Sequence, residues 1–445
     1  MLDQDALHFK IMLNHTLNIY SGGDGQEPEM PPVPLNKENM CALALLEGRT
    51  IHVADVKNSQ EYDFSGHIRY DGITGYHTQS MLAVPMCSRE GKKLGVLQLI
   101  NAMDETGAIQ PFSEDMALVL ESVASQAAIT IQNVYYIQEI KELFHSFVRV
   151  MSSAVDERSP YNGNHTRHMV AYGNRFLDYL NKRAIEAGQE PPFSPSGREE
   201  LLMSIWLHDI GKLVIPLEVM DKPTRLLPEQ NLAFFHRMEV IRLRGEIDQL
   251  SGRISAREQE SLCCRTKKAE DLVKELNSAG ILSEENRNEL KALSNQTYID
   301  ETGATCKWLT PEEYAMLSIS KGTLSQKERE IMEGHVAMTD KLLSQIQFSN
   351  EFSHVQEWAA KHHEYLNGSG YPGHLTEEAI PTEARIVTIL DIFDALTADD
   401  RPYKPGMPAQ KAVFVLEAMA QKEGKLDPEL TRLFIESRCW EPDPN

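Results

Sequence analysis

Trp206-Leu207-His208-Asp209-Ile210-Gly211-Lys212 is the stretch from which the rest of the chain is understood. The apolar run Leu201 to Leu207 carries a helix up to adjacent His and Asp side chains. Gly211 and, shortly beyond it, Pro216 read as the stop of that helix. A carboxylate at a helix end can bridge two cations while a neighbouring imidazole binds one of them. A His-Asp dipeptide alone is usually a surface pair, so its meaning depends on what recurs downstream.

Past Pro160 the chain reads as all helix, and further His and Asp residues sit in its apolar-periodic segments. His165 precedes Met169-Val170-Ala171, and His335 lies within Glu328 to Leu343. His362-His363 closes Val355 to Ala360, and Asp391 lies in Ala384 to Leu396. A charged Asp on an apolar helix is costly unless it is paired or bound to a cation. Five His and two Asp on helices that must pack together therefore point to a shared cation site. Seven ligands exceed what one ion needs, so two divalent ions sharing Asp209 are expected. Imidazole and carboxylate without thiolate suit iron or manganese, with zinc, nickel and magnesium as alternatives. Such a pair lowers the pKa of a water and clamps the attacking and leaving oxygens of a phosphoryl centre. Gly368-Ser369-Gly370-Tyr371-Pro372, following His362-His363-Glu364, is glycine-rich enough for backbone to approach a ligand, and forms a wall of the site.

A length of 445 residues implies two or three domains, and 41% hydrophobic residues are ample for packed cores. The formal net charge of −22 disfavours nucleic acid and anionic membranes as partners. A phosphate-ester substrate would need bound cations to reverse that field locally. The six cysteines show no CxxC spacing, which reads as a reduced cytoplasmic protein. No apolar stretch approaches a membrane span, and no signal peptide opens the chain.

The first third mixes short strands and turns. Ser80 to Met86 and Leu94 to Ile100 read as strands joined by the turn Ser88 to Lys92. From Ser113 to Glu157 the pattern is continuously helical, with Leu118, Leu120, Val123, Ala127, Ile131, Val134, Ile137, Ile140, Leu143 and Phe147 at three- and four-residue steps. Burying that stripe calls for a second copy, so a homodimer is expected. Val240, Leu243, Ile247, Leu250 and Ile254 suggest a short coiled-coil seam. Leu272, Val273 and Leu276, then Leu290 and Leu293, suggest a returning helix.

Tyr62-Asp63-Phe64-Ser65-Gly66, Thr74-Gly75-Tyr76, Ser80 to Met86 and Gly95 to Asn101 resemble a GAF domain over residues 1–135. The opening elements of that family are missing from the resemblance, so Met1 reads as an internal start or as the edge of an excised piece. GAF domains bind small molecules or dimerise, and the ligand here is open. His208 to Lys212, His362-His363-Glu364, Asn367 to Pro372 and Asp391 to Thr397 resemble an HD-GYP domain over residues 140–225 and 320–440. Its members are metal-dependent phosphohydrolases that hydrolyse cyclic di-GMP.

The resemblance implies a multidomain chain. An N-terminal α+β GAF sensor (1–135) leads through a long connecting helix (113–157) to an all-α HD-GYP domain (158–440) with a helical insertion (226–320). It implies one metal on His165, His208, Asp209 and Asp391, and another on Asp209, His335, His362 and His363. Asp209 and Lys212 would be catalytic. Lys212, Gly370, Tyr371, Pro372, Arg401 and Lys404 would contact substrate, and the Gly-Tyr-Pro segment would also meet cyclic-di-GMP synthase domains. Tyr161 stands where some relatives have a third-metal Glu, which favours two ions. The alternatives are the same chemistry on another cyclic dinucleotide such as cyclic GMP-AMP, or a catalytically silent receptor that keeps its metals.

Overall fold

Met81-Leu82-Ala83-Val84 is apolar at every position because the strand it forms is covered on both faces. Met81 and Ala83 pack with Met40, Leu43, Ile51, Val53 and Phe64. Leu82, Val84 and Met86 pack with Leu94, Phe112, Leu120, Ala124 and Ala128. This is the two-residue alternation of a strand with a helix on each side. Met40–Glu47 supplies one helix and the start of Glu114–Asp156 the other. The strand is the middle of an antiparallel sheet, ordered Ile51–Val53, Met81–Cys87, Lys93–Ile100, with Ala83 opposite Gln98. The computed structural model describes every residue except 4, 17, 24–27, 159–162, 279, 399–405 and 442–445. It divides into two units, Met1–His145 and Ser146–Asn445.

Glu114–Asp156 is one helix of 43 residues. Val134, Ile137, Ile140, Leu143 and Phe147 lie exposed along it, each more than half accessible. Val148, Ser152, Val155 and Asp156, the face of its last turns, are buried.

In the second unit, His165–Glu186, Pro195–Leu207, Gln326–Leu343, Val355–Ala360 and Thr382–Thr397 are the helices that matter for the site. Met169, Phe176, Leu177 and Leu180 form the inward stripe of the first of these. They join Leu201, Ile205, Ile389, Leu390, Phe393 and Phe434 in one core. Ends are set locally. Ser194 accepts from the Gly197 amide with Pro195 in the first turn, and Ser325 with Glu328 forms a reciprocal capping box.

Residues 226–317 have a core of their own, with Leu226, Phe234, Met238, Ile241, Val273, Leu276, Leu290, Leu293 and Trp308 buried together. Two expectations are corrected here. The unit is not wholly helical past Pro160, because Thr297–Ile299 and Thr305–Lys307 pair as an antiparallel hairpin. The expected seam is also not what packs: Val240, Leu243, Ile247 and Leu250 are exposed. The inner face of Pro228–Leu250 is Phe234, Met238, Ile241 and Gly245. A Cβ on Gly245 would stand 2.0 Å from Gln259 Oε1, so this glycine lets Ala256–Leu276 come close. Arg225, fully buried, donates to the carbonyls of Leu276, Gly280 and Gly322, which ties together the two ends of the segment.

The hairpin also repeats a sequence. Asp104-Glu105-Thr106-Gly107-Ala108 and Asp300-Glu301-Thr302-Gly303-Ala304 are the same five residues, and they make the same turn. In each, one Asp oxygen accepts from the Thr amide, the Thr hydroxyl and the Ala amide. In each, Gly takes a positive φ, 83° and 88°.

Candidate metal centre

Five helical segments converge on Asp209. His208 closes Pro195–Leu207 as its last cap, and Asp209 follows directly. The helix therefore ends before Gly211, which corrects its reading as the stop signal. Gly211 lies inside a short 3₁₀ turn, Ile210–Val214. A Cβ there would stand 1.9 Å from the His335 carbonyl oxygen, so close approach to the Gln326–Leu343 helix is what requires glycine. Thr339 fastens that approach. Its hydroxyl donates to the His208 carbonyl at 2.9 Å and accepts from the Gly211 amide at 3.0 Å.

Around Asp209 the imidazoles fall on two sides. Its Oδ2 is 3.3 Å from His208 Nε2 and 3.8 Å from His165 Nε2. Its Oδ1 is 3.3 Å from His335 Nε2 and 3.9 Å from His362 Nε2. Asp391 closes the first side, 3.3 Å from His165 Nε2, and reaches His363 Nδ1 at 3.7 Å. Ligand atoms of His165, His208 and Asp391 lie within 4.8 Å of one another, as do those of His335, His362 and His363, and those of His208, Asp209 and His362.

The rings are held from behind. Nδ1 of His208, His335 and His362 faces the carbonyl three residues earlier, that of Ile205, Met332 and Ala359, at 2.6–2.7 Å. That contact fixes each Nδ1 as the donor, so each Nε2 presents a lone pair inward. Those three Nε2 atoms and Asp209 Oδ1 are buried and make no hydrogen bond. Leaving such atoms unsatisfied costs about 1–3 kcal/mol each, whereas divalent cations would satisfy them together. The donor set thus fits metal ions.

Electrostatics agree. Burial pushes the Asp209 carboxyl up, but Lys212, at 2.5 Å, and His208 outweigh it and hold the group well below the usual carboxylate range. Burial likewise opposes ionisation of Asp391, and the His165 contact overcomes it and holds the carboxyl low. Burial lowers His362 and takes His363 to about 4, so both are neutral ligands at pH 7. For His165 burial lowers the pKa, while Asp391 and Asp394 raise it to about 10. A cation at the same carboxylates competes with that proton.

Asp394 is a residue that sequence reasoning missed. Fully buried, it accepts from His165 Nδ1 at 2.6 Å and so orients the ring. Its signal was there, one helical turn beyond Asp391 on the same face. Thr339, one turn past His335, was missed too.

The Gly-Tyr-Pro segment flanks the His335–His363 side. The Tyr371 ring centroid is 4.8 Å from that of His363 and 6.5 Å from that of His335. Burial pushes the Tyr371 phenol above its ordinary pKa. Gly370 owes its identity to its own loop: a Cβ would stand 2.4 Å from the Tyr365 nitrogen and 2.5 Å from the His363 carbonyl. Buried Glu364 holds the loop by accepting from the amides of Gly373 and Leu375. Arg401, Lys404 and Tyr161 lie outside the described residues.

Comparison with known proteins adds two family profiles, a GAF domain over residues 2–131 and an HD domain over residues 260–430. HD domains imply divalent metal binding. The HD match begins within residues 226–320, the segment expected to be an insertion, so His165, His208 and Asp209 precede it while His335, His362, His363 and Asp391 lie within it. The chain is 38% identical over 96 residues to 3'3'-cGAMP-specific phosphodiesterase 3 of Vibrio cholerae, 22% of this chain and 20% of that protein. It is 38% identical over 122 residues to the cyclic di-GMP phosphodiesterase response regulator RpfG of Xanthomonas campestris, 27% of this chain and 31% of that one. The matched stretches thus span a third or less of these relatives' length. A solved cyclic GMP-AMP specific phosphodiesterase of V. cholerae aligns at 14% identity over 65% of this chain and 47% of its own, with a TM-score of 0.30.

Proposed function

This chain joins a GAF domain to an HD domain related to the HD-GYP phosphodiesterases, and from that premise we propose that it is a metal-dependent phosphodiesterase hydrolysing a cyclic dinucleotide, cyclic di-GMP first, under the control of its GAF domain. The observation that carries this reading is Asp209, whose two oxygens face separate groups of buried imidazoles with unsatisfied Nε2 atoms.

In this reading His165, His208, Asp209 and Asp391 hold one cation, and Asp209, His335, His362 and His363 a second. Bound divalent ions supply a nucleophilic water near neutral pH and neutralise phosphate charge. The chain's own residues do the rest. Lys212, its ammonium raised above the ordinary value by Asp209 against the effect of burial, stays charged and offers a proton donor beside the phosphate. Asp394 keeps His165 in one tautomer. Tyr371, un-ionised, gives an aromatic face on which a guanine can stack. Arg401 and Lys404 take the phosphate-binding role that the family resemblance assigns them. The exposed apolar stripe of Glu114–Asp156 supports a homodimer.

The test is elemental analysis of the purified chain together with turnover of cyclic di-GMP and 3'3'-cGAMP. Two ions per chain and release of linear dinucleotide or GMP are expected. Asp209→Ala should lose both ions and all turnover, whereas retained metal and activity would refute the shared carboxylate. Metal without hydrolysis of either compound would make the chain a receptor.

A further inference from the structure

The end of the Glu114–Asp156 helix and the turn just past it bring two charged side chains, unused by the proposed chemistry, against segments that present the metal centre. Val148, Ser152, Val155 and Asp156 are buried in the second unit at helical spacing, so this end of the helix is packed in place. Asp156, 3% exposed, accepts from the Thr166 hydroxyl at 3.1 Å. Thr166 is itself buried and follows His165 in the first turn of its helix. Two residues beyond the helix, Arg158 donates through one terminal guanidinium nitrogen to the Lys212 carbonyl at 2.7 Å and to the Leu213 carbonyl. Those carbonyls belong to the 3₁₀ turn that follows Asp209 and carries Lys212.

One helix end therefore grips both sides of one half of the cluster. Asp156 holds the segment that presents His165, and Arg158 holds the segment that presents Asp209 and Lys212. These segments come from separate helices, and ligand geometry tolerates errors of only about 0.5 Å. We propose that Asp156 and Arg158 are positioning residues that set the placement of His165 and Lys212 about Asp209. Any shift or rotation of the connecting helix is thereby transmitted to the metal centre. The connecting helix is long and mostly solvent-exposed before Val148, so this buried turn is where its state meets the chemistry. One terminal guanidinium nitrogen carries two N–H donors and so serves both carbonyls, while delocalisation keeps the group charged where it is half-buried. The inference rests on the cluster being the metal centre and not on the identity of the substrate.

The experiment uses the full chain with manganese as the probe, and compares wild type with Arg158→Gln, Arg158→Lys and Thr166→Val. Hydrogen exchange is followed at the amides of Lys212 and Ile215, which bond to the carbonyls of Asp209 and Lys212, and along Thr382–Thr397 as a reference. Arg158→Gln should speed exchange at both amides by about tenfold or more with the reference helix unchanged. Both Arg158→Gln and Thr166→Val should lower kcat by about tenfold with KM within about twofold, and Arg158→Lys should recover part of the loss. Exchange and kcat close to wild type in both variants would overturn the brace. So would an equal rise in the reference helix, which would mark general loosening. If the wild type takes up manganese but hydrolyses no cyclic dinucleotide, the substrate reading fails, and the brace stands or falls on the exchange result alone.

Discussion

Asp394 meets His165 Nδ1 through one oxygen and His168 Nδ1 through the other, and the buried carboxylate decides which nitrogen of His165 faces Asp209 and Asp391. Asp394→Ala should therefore weaken metal binding by about 10–100-fold, read by competition with a chelating dye. Asp394→Asn, which keeps an acceptor oxygen, should lose less. Equal affinities in all three proteins would mean that His165 is oriented by something else. The adjacent pairs His208-Asp209 and His362-His363 were legible in the sequence because each places two candidate ligands side by side at one helix end. Thr339 and Gly211 were not, since their meaning lies in a contact between segments more than 120 residues apart. Gly211 looked like a helix stop because glycine is so often one, and the clash its Cβ would make belongs to tertiary packing alone.

Among the elements, the inserted segment tests how far periodicity can be trusted. Pro228–Leu250 carries apolar residues on two faces, so a three-four stripe could be drawn along either. The sequence reading took Val240, Leu243, Ile247 and Leu250, while Phe234, Met238 and Ile241 lie inward. What chose between the faces is Gly245, which admits the neighbouring helix. Periodicity marks an amphipathic helix but does not say which of two apolar faces finds a partner. The hairpin at Thr297–Lys307 was hidden for a different reason: its strands are three residues each, too short for alternation to register. Its Asp-Glu-Thr-Gly-Ala turn was the available clue. None of the seven candidate ligands lies between 226 and 320, and this segment's core is separate from the one behind the site. Excising residues 228–318 across a short linker should thus leave metal binding intact and hydrolysis within about tenfold of wild type. Complete loss of metal from a folded product would show that the segment completes the centre.

For the whole molecule, the exposed stripe of the long helix is the feature a lone chain explains least. Ile140, Leu143 and Phe147 each leave more than half their surface in water, at a cost near 25 cal/mol per Å² that a second copy would recover. The proposed homodimer predicts a wild type of dimeric mass in light scattering that Leu143→Glu converts to a monomer with metal content unchanged; a wild type of monomeric mass would sink the dimer, and an unchanged dimeric mass in the variant would place its interface elsewhere. The order of domains and the long helix between them were legible because 43 residues without Pro or Gly leave few other readings. The aiming of the centre was not legible. His208, His335 and His362 are each anchored by a carbonyl of their own helix, three residues upstream. Each segment thus arrives with its lone pair already pointed, and the rest of the protein has only to bring the segments together. A centre assembled from self-aligned parts tolerates drift in everything between them, which is how a mid-chain segment with a core of its own can be carried while the ligands keep their places.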